Sequence, residues 1–276
     1  MPTNPVSERR AAAVSGYGHV NGLDMYYEIH GAGRPLLLLH GAMGTIKSCF
    51  EKLLPRLAAT RMVVAVELQG HGHTADIDRP LSYQQMADDT VALVRTLDIE
   101  VADFVGYSMG GAVALQIAMR HPEVVRRLVD AGGSSYDSRG LYSEVIDAFE
   151  TGPPDLSGSV WQQAYAKVAP DPGAWPTLVA KVNELDRQFP GWTDDEVRGV
   201  RTPTMLIIGD ADIVRPEHTV AMFRLLGGGG VGDLIDAPPS QLAILPGTSH
   251  VGLLERVEWL QSMIIPFLDD PTSSIR

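Results

Sequence analysis

The chain has 276 residues, of which 45% are hydrophobic, and a formal net charge of −12. This length suits one substantial core with an insertion better than two domains. The acidic balance argues against a nucleic-acid or anionic-membrane partner, because both need a basic patch. A neutral, fairly apolar small molecule is therefore the expected substrate.

The cysteine content and the apolar runs predict a cytoplasmic protein. Cys49 is the single cysteine, so no intrachain disulfide or thiolate metal cluster can form. No apolar run approaches the ~18 residues that span a bilayer. Arg9 and Arg10 form a twin-arginine pair, but the apolar run at 11–14 is too short for a signal peptide. We expect a monomer or homodimer with a flexible arm at residues 1–16.

The first predicted elements are a β-hairpin and a buried strand. Asn21-Gly22 separates two strand-like runs and is typical of a two-residue hairpin turn. The continuous apolar run at 35–39 predicts a strand covered on both faces. It ends in His-Gly-Ala-Met-Gly (40–44), where two glycines allow backbone amides to turn toward a ligand. A tight strand-to-helix loop without a ligand is the alternative.

Helical spacing over 49–57 is followed by a predicted strand over 61–68. In the next loop His71 and His73 lie two residues apart, which is a possible metal pattern. No third ligand stands at the usual spacing, so we interpret the loop as a structural turn and predict no metal. An S-x-x-Q capping box predicts a helix over 82–97.

The sequence Gly-Tyr-Ser-Met-Gly (106–110) follows a short apolar run and precedes a helical pattern. In a nucleophile elbow the serine sits on a strained strand-to-helix turn, and glycines at both flanks avoid collisions with the strand and the helix. The pattern therefore predicts an exposed hydroxyl at Ser108. An ordinary glycine-rich turn with a capping serine is the alternative.

Residues 134–200 interrupt the alternation of strands and helices. They hold three of the four tryptophans, Trp161, Trp175 and Trp192, with short helical patterns and no clear strand. We predict a helical lid over the carboxyl edge of the sheet, with these tryptophans and Met43 lining the substrate pocket. A packed subdomain without substrate contact is the alternative.

Alternation resumes after the insertion. The remaining predicted elements are a strand at 204–208, a helix at 216–226, a strand at 242–245 with an exit loop at 246–250, and a helix at 257–268. The order predicts an α/β fold, a doubly wound, mostly parallel sheet whose core comes from residues 17–133 and 201–276.

Loops that leave the carboxyl ends of parallel strands share one rim, so residues distant in sequence can meet there. Four predicted strand exits carry reactive or amide-rich groups, namely residues 40–44, Ser108, residues 210–212 and His250. Their joint occurrence is much less expected by chance than the serine motif alone.

With these segments the sequence resembles the α/β-hydrolase superfamily, and in particular its lidded serine hydrolases of the carboxylesterase and lactonase type. The resemblance covers residues 17–268 and has five supporting segments: Leu-His-Gly-Ala-Met-Gly (39–44), Gly-His-Gly-His-Thr (70–74), Gly-Tyr-Ser-Met-Gly-Gly (106–111), Gly-Asp-Ala-Asp (209–212) and Pro-Gly-Thr-Ser-His (246–250). The chain order Ser, Asp, His is the one that this superfamily uses.

The resemblance implies a catalytic triad with Ser108 as nucleophile, His250 as general base and acid, and Asp212 as the orienting carboxylate. It implies an oxyanion hole formed by the backbone N–H groups of Ala42 and Met109. No cofactor and no metal are implied.

Two other carboxylates compete for the acid role. Asp210 stands in the same Gly-Asp-Ala-Asp segment, and Asp130 ends an earlier strand to which some relatives move the acid. The family pattern favours Asp212. Glu67 stands where many relatives carry aspartate, and we assign no catalytic role to that difference.

The resemblance implies hydrolysis of an ester or lactone. Carbon–carbon hydrolases of ring-cleavage products use the same triad and lid, and a cofactor-free perhydrolase is a further variant. Some relatives with an intact triad act as small-molecule receptors that turn over slowly. These alternatives stay open at the level of the sequence.

Overall fold

Eight strands form one sheet in the computed structural model, which describes residues 13–152, 155–234 and 238–271. The strands are β1 (Val14–Val20), β2 (Leu23–His30), β3 (Arg34–Leu39), β4 (Arg61–Val66), β5 (Ala102–Tyr107), β6 (Val125–Ala131), β7 (Thr204–Ala211) and β8 (Gln241–Ser249). Their order is β1-β2-β4-β3-β5-β6-β7-β8. The strands β3 to β8 pair in parallel, while β2 pairs antiparallel with both of its neighbours. The predicted fold class is confirmed.

Helices cover both faces of this sheet. They are α1 (Ile46–Phe50), α2 (Leu54–Leu57), α3 (Tyr83–Thr96), α4 (Met109–Arg120), α5 (Ser143–Glu150), α6 (Val160–Ala166), α7 (Trp175–Gln188), α8 (Asp194–Gly199), α9 (Pro216–Leu225) and α10 (Val257–Asp269). One hydrophobic cluster includes buried side chains of α3, α4 and α7, and the other includes those of α1, α2 and α10. The central strands are mainly apolar after their first residues because each of their faces meets one of these layers.

The amino-terminal strand begins earlier than predicted. Val14 pairs with Ile29, so the sheet starts three residues before Tyr17. The predicted arm at 1–16 therefore ends in the sheet, and its residues 1–12 lie outside the described residues.

Two further predicted boundaries are wrong. The single helix over 49–57 is two short helices, α1 and α2, because Pro55 has no N–H with which to continue a helix. Strand β8 continues through the predicted exit loop to Ser249, which pairs with Ala211 after a register shift. Pro246 is tolerated there because β8 is an edge strand of this sheet.

The insertion between β6 and β7 contains the four helices α5 to α8. Helix α7 buries one face in the larger cluster, and its Lys181 ammonium donates to Asp76 and to the carbonyls of Ile77 and Arg79 at 2.6, 2.8 and 2.9 Å. In contrast, α5 has no buried side chain. The insertion is thus attached to the rest of the molecule through α7, and also through α8, whose Val197 is buried.

Within the described ranges, no helix combines the length and the apolar character that a membrane crossing needs.

Candidate active site

Ser108 stands on a sharp turn between β5 and α4. Its backbone has φ 54° and ψ −120°, a conformation that L-residues rarely adopt. A Cβ atom on Gly106 would lie 2.2 Å from the Gly110 carbonyl oxygen, and one on Gly110 would lie 2.1 Å from the Leu39 carbonyl oxygen. Both flanking positions therefore require glycine, as the sequence motif predicts.

Three side chains from different strand exits form a continuous chain of hydrogen bonds. His250 Nε2 lies 2.9 Å from Ser108 Oγ, and His250 Nδ1 lies 2.7 Å from Asp212 Oδ1. A carboxylate only accepts hydrogen bonds, so Nδ1 carries the proton and the Nε2 lone pair faces the serine hydroxyl. This arrangement can remove the proton of Ser108.

The Asp212 carboxylate is buried and fixed by backbone amides. Its Oδ1 accepts from Ile213 N at 2.8 Å, and its Oδ2 accepts from Gly209 N at 3.3 Å. Asp210 points away from His250 and accepts from Thr248 N at 3.1 Å. Backbone hydrogen bonds from Gly247 and Thr248 lower the pKa of the exposed Asp210 carboxyl. Of these two aspartates, the structure brings Asp212 to the imidazole.

Asp130 lies at the end of β6 and is fully buried. Its Oδ2 accepts from Ser134 N at 2.8 Å, while its Oδ1 has no hydrogen-bond partner in the described part of the chain. Burial raises the pKa of Asp130 to about 7. No described hydrogen bond joins Asp130 to His250, so this third candidate stands beside the Ser–His–Asp chain and outside it.

The loop at 40–44 presses against the serine turn. A Cβ atom on Gly41 would lie 2.7 Å from the Tyr107 ring and 3.3 Å from Ser108 Cβ. Across residues 13–152, 155–234 and 238–271, neither the Ala42 nor the Met109 backbone N–H has a hydrogen-bond partner. Two open donors therefore lie in the segments on either side of the hydroxyl.

The buried side chain of His40 holds this loop. His40 Nδ1 donates to the Gly41 carbonyl at 2.8 Å, and His40 Nε2 accepts from Leu68 N at 3.0 Å. Burial lowers the pKa of His40 to about 3, so the ring is neutral at physiological pH. Each ring nitrogen then has a fixed role, and the ring ties the loop to the end of β4.

Sequence reasoning gave no role to Glu67, yet this carboxylate connects two loops of the rim. Its Oε1 accepts from Ile46 N at 3.0 Å, and its Oε2 accepts from the backbone and ring nitrogens of His73 at 2.6 and 2.8 Å. A Cβ atom on Gly72 would lie 2.1 Å from the carboxylate. The sequence did contain one indication of this role, because glutamate stands at position 67 where many relatives carry aspartate.

The four predicted pocket residues differ in their surroundings. Met43 and Trp161 are half-buried, whereas Trp175 and Trp192 are buried. The Trp192 indole N–H donates to Gln116 Oε1 on α4 at 2.8 Å, and Trp175 packs against Tyr165 with ring centroids 5.3 Å apart. Trp192 therefore ties the insertion to the helix that follows Ser108.

The histidines in the Gly-His-Gly-His segment do not converge. His71 Nδ1 contacts the Gln69 carbonyl at 2.9 Å, while His73 pairs with Glu67. In the described ranges, no three His, Cys, Asp or Glu side chains are placed to hold a metal ion.

Residues 36–260 match the sequence model of the alpha/beta hydrolase family. The chain is 39% identical over 110 residues to the 2-hydroxymuconate semialdehyde hydrolase of Pseudomonas sp. strain CF600, an alignment that covers 38% of this chain and 38% of the relative. It is 27% identical over 271 residues to the pimeloyl-acyl-carrier-protein methyl ester esterase of Neisseria meningitidis serogroup A, covering 87% of this chain and 80% of the esterase.

Two solved structures share the fold. The meta-cleavage product hydrolase CumD from Pseudomonas fluorescens IP01 has a TM-score of 0.73 at 21% identity, and the match covers 93% of this chain and 97% of CumD. The carboxylesterase CesB from Bacillus subtilis has a TM-score of 0.70 at 19% identity, covering 94% and 92%. At these identities the likeness concerns the fold alone.

Proposed function

Since this chain belongs to the alpha/beta hydrolase family, we propose that it is a serine hydrolase that cleaves a carboxylic ester or lactone of a fairly apolar small molecule. The observation that carries the proposal is the Ser108–His250–Asp212 chain of hydrogen bonds beside two open backbone amides. That combination supplies a nucleophile, a base and donors for a developing negative charge.

In the proposed reaction, Ser108 Oγ bonds to the ester carbonyl carbon while its proton passes to His250 Nε2. The carbonyl oxygen becomes an oxyanion and accepts from the amides of Ala42 and Met109. When this intermediate collapses, the bond to the alcohol oxygen breaks and the proton on Nε2 goes to that oxygen. Asp212 stabilises the transient imidazolium through Nδ1.

The acyl-enzyme is then hydrolysed by the same groups in reverse. A water molecule attacks the acyl carbon and gives a proton to Nε2. That proton returns to Ser108 Oγ as the carboxylic acid leaves. In comparable sites, loss of one oxyanion donor slows the reaction by about 10²- to 10³-fold.

We further propose that residues 134–200 form the cap of the substrate pocket. Helix α7 is the fixed part, since Lys181 and its apolar face hold it to the sheet layers. Helix α5, which has no buried side chain, is the part free to move for substrate entry.

A carbon–carbon hydrolase is the second candidate, and the 39% identity to the 2-hydroxymuconate semialdehyde hydrolase favours it over other rivals. In that reaction the bond that breaks joins a carbonyl carbon to another carbon. Water supplies the hydroxyl to the acyl carbon and a proton to the leaving carbon. The same three side chains could serve both reactions.

The test is the hydrolysis of p-nitrophenyl esters from acetate to decanoate by the wild type, by Ser108→Ala and by Ser262→Ala as a matched control. Ser262 is exposed on α10, and among the described residues its hydroxyl donates to the Trp259 carbonyl alone. We expect a loss of at least about 10³-fold in Ser108→Ala alone.

2-Hydroxymuconate semialdehyde is assayed beside the esters. A higher kcat/KM for this compound than for the best ester would replace the first proposal by the carbon–carbon reaction. Equal ester hydrolysis by the wild type and Ser108→Ala would overturn both.

A further inference from the structure

A cleft of about 330 Å³ lies between the sheet layers and the insertion. Its walls come from α1 with the residues beside it, from α6 with the residues after it, and from the 3₁₀ turn Val251–Glu255 that follows His250. The volume is within the range of small-ligand sites. The lining side chains are Thr45, Lys47, Ser48, Cys49, Glu51, Lys52, Ala164, Lys167, Val168, Leu254 and Glu255.

Lysine is concentrated in this cleft. The chain has only four lysines, and Lys47, Lys52 and Lys167 all line it. In an acidic protein with a net charge of −12, such clustering gives this surface a local charge unlike that of the whole molecule.

One of the three ammonium groups has no counter-charge. Lys52 pairs with Glu255, and Lys47 lies 3.8 Å from Glu51. Lys167, at the end of α6, is exposed and forms no ion pair with a described residue. The lining as a whole thus carries one uncompensated positive charge, located on the insertion.

The cleft adjoins both segments that carry the candidate catalytic groups. On one side, Cys49 Sγ would lie 2.6 Å from a Cβ on Gly44, whose amide donates to the Gly41 carbonyl of the loop that bears Ala42. On the other side, Leu254 and Glu255 belong to the turn that starts directly after His250. The cleft therefore lies beside two segments that border the candidate catalytic groups.

We propose that a substrate bound at Ser108 extends into this cleft, that the cleft binds a single carboxylate at the far end of the substrate's carbon chain, and that Lys167 is the cation that recognises it. This inference rests on the proposed ester hydrolysis and replaces the expectation of a neutral substrate. That expectation came from the net charge of the whole chain. A bound substrate interacts instead with the charges that line its binding surface.

The other lining groups fit an alkyl chain that ends in one negative charge. Ala164, Val168 and Leu254 supply apolar surface for methylene groups. The Cys49 thiol does not oppose an anion, because burial raises its pKa to about 11 and keeps it neutral. A second carboxylate on the ligand would find both remaining lysines already paired.

The test compares two esters of equal length: p-nitrophenyl hexanoate and the mono-p-nitrophenyl ester of adipic acid, which differ by a terminal carboxylate. The spontaneous rate is subtracted for each. The quantity measured is the ratio of kcat/KM for the adipate ester to that for hexanoate, in the wild type, Lys167→Gln, Lys167→Glu and Arg201→Gln. Arg201 is exposed and distant in sequence from the cleft, so its replacement removes one positive charge elsewhere.

We expect the ratio to fall about threefold in Lys167→Gln and about tenfold in Lys167→Glu, and to stay constant in Arg201→Gln. In the wild type the ratio should also fall when salt is raised from about 0.05 M to about 1 M, because exposed charges are screened. The inference would be overturned if hexanoate is hydrolysed and the ratio is the same in the wild type and in both Lys167 variants. The proposed function would be unaffected by that result.

A binding measurement separates the two proposals if neither ester is hydrolysed. Monomethyl adipate is titrated calorimetrically into Ser108→Ala and into Ser108→Ala with Lys167→Glu. Weaker binding to the double variant supports the carboxylate site even if the ester reaction is wrong. Equal binding, or none to either variant, overturns it.

Discussion

At the carboxyl end of the parallel strands the buried and half-buried polar side chains converge on one another, whereas at the amino end they converge on the end of α10. At the carboxyl end, Ser108, His250 and Asp212 share a line of hydrogen bonds. At the amino end, Arg126 donates to the Leu268 carbonyl at 2.6 Å and Arg127 to the Asp270 carbonyl at 2.8 Å.

The cluster of charged side chains at the amino end stabilises the fold. Arg61 pairs with Asp269, and Arg126 pairs with the buried Asp103 at 2.6 Å. Carbonyl groups at a helix carboxyl terminus are acceptors that lack intrahelical donors, and cations there offset the helix dipole. The arginines therefore fasten the last helix to the sheet.

The comparison shows that buried charge by itself does not mark a reactive site. Both ends of the sheet bury ionisable side chains, but only the carboxyl end combines a serine with positive φ and backbone amides without partners. Those features destabilise the fold, and they fit the hydrolytic role that we propose for this end. The contrast is tested by substitutions at one end of the sheet, which should change either activity or stability and leave the other property unchanged.

The largest effect is expected from Asp212→Asn. The asparagine amide would donate to His250 Nδ1, so the ring proton would move to Nε2 and no lone pair would face Ser108. We expect kcat for p-nitrophenyl esters to fall by about 10⁴-fold with little change in unfolding free energy. The matched control is Asp210→Asn, which should keep kcat near the wild-type value. Comparable losses in both variants would contradict the assignment.

The opposite outcome is expected from Arg127→Met at the amino end. Arg127 is only 1% exposed in its side chain, and its loss removes both the hydrogen bond to the Asp270 carbonyl and the contact of the guanidinium with the Phe267 ring. We expect the free energy of unfolding in urea to fall by about 3 kcal/mol, with kcat per folded molecule unchanged. The exposed Arg34→Met at the same end is the control and should cost much less. A selective loss of kcat in Arg127→Met would break the comparison.

Asp130 connects pH to stability at the carboxyl end. Its folded-state pKa of about 7 lies above the ordinary aspartate value of 3.8, so the folded protein holds this proton more tightly than the unfolded chain. The resulting stabilisation is fully present below about pH 4 and is lost as pH rises through about 7. Asp130→Asn should therefore gain a few kcal/mol relative to the wild type between pH 4 and pH 9.

Urea unfolding of both proteins across that range measures the effect of Asp130. The unfolding free energies of variant and wild type are subtracted at each pH. A constant difference would mean that the pKa of Asp130 in the folded protein is not raised above its value in the unfolded chain.

The smallest effect concerns the insertion. Trp192→Phe removes the indole donor and leaves Gln116 Oε1 buried without its partner, at a cost of about 1 to 3 kcal/mol. The half-buried Trp161→Phe, which loses no described hydrogen bond, is the control. The acyl-chain preference is measured on both variants and on Trp175→Phe. An unchanged preference in all three would remove the predicted tryptophan-lined pocket.

Local features were predictable from the sequence because short-range sterics determine them. The glycines around Ser108 and the apolar runs of the central strands each depend on immediate neighbours. The proximity of Ser108, Asp212 and His250 was predictable because parallel strand ends share one rim. Their catalytic roles stay predictions until the variants are measured.

Features that depend on contacts between distant segments could not be predicted. The attachment of Arg126 and Arg127 to α10 joins residues more than a hundred positions apart. The lysine cleft depends on how α6 lies against α1. By contrast, the break between α1 and α2 was readable, since Pro55 interrupts the helical pattern.

The insertion begins after β6 and ends before β7, and these two strands are neighbours in the sheet. Its two attachment points are therefore adjacent, and the whole segment can be exchanged with that of a relative as one contiguous graft. A chimera of this kind would have to keep Lys181 opposite Asp76 and Trp192 opposite Gln116. With the insertion in its proposed role as the cap, such an exchange is expected to change the substrate range and to leave the proposed catalytic residues on the recipient sheet.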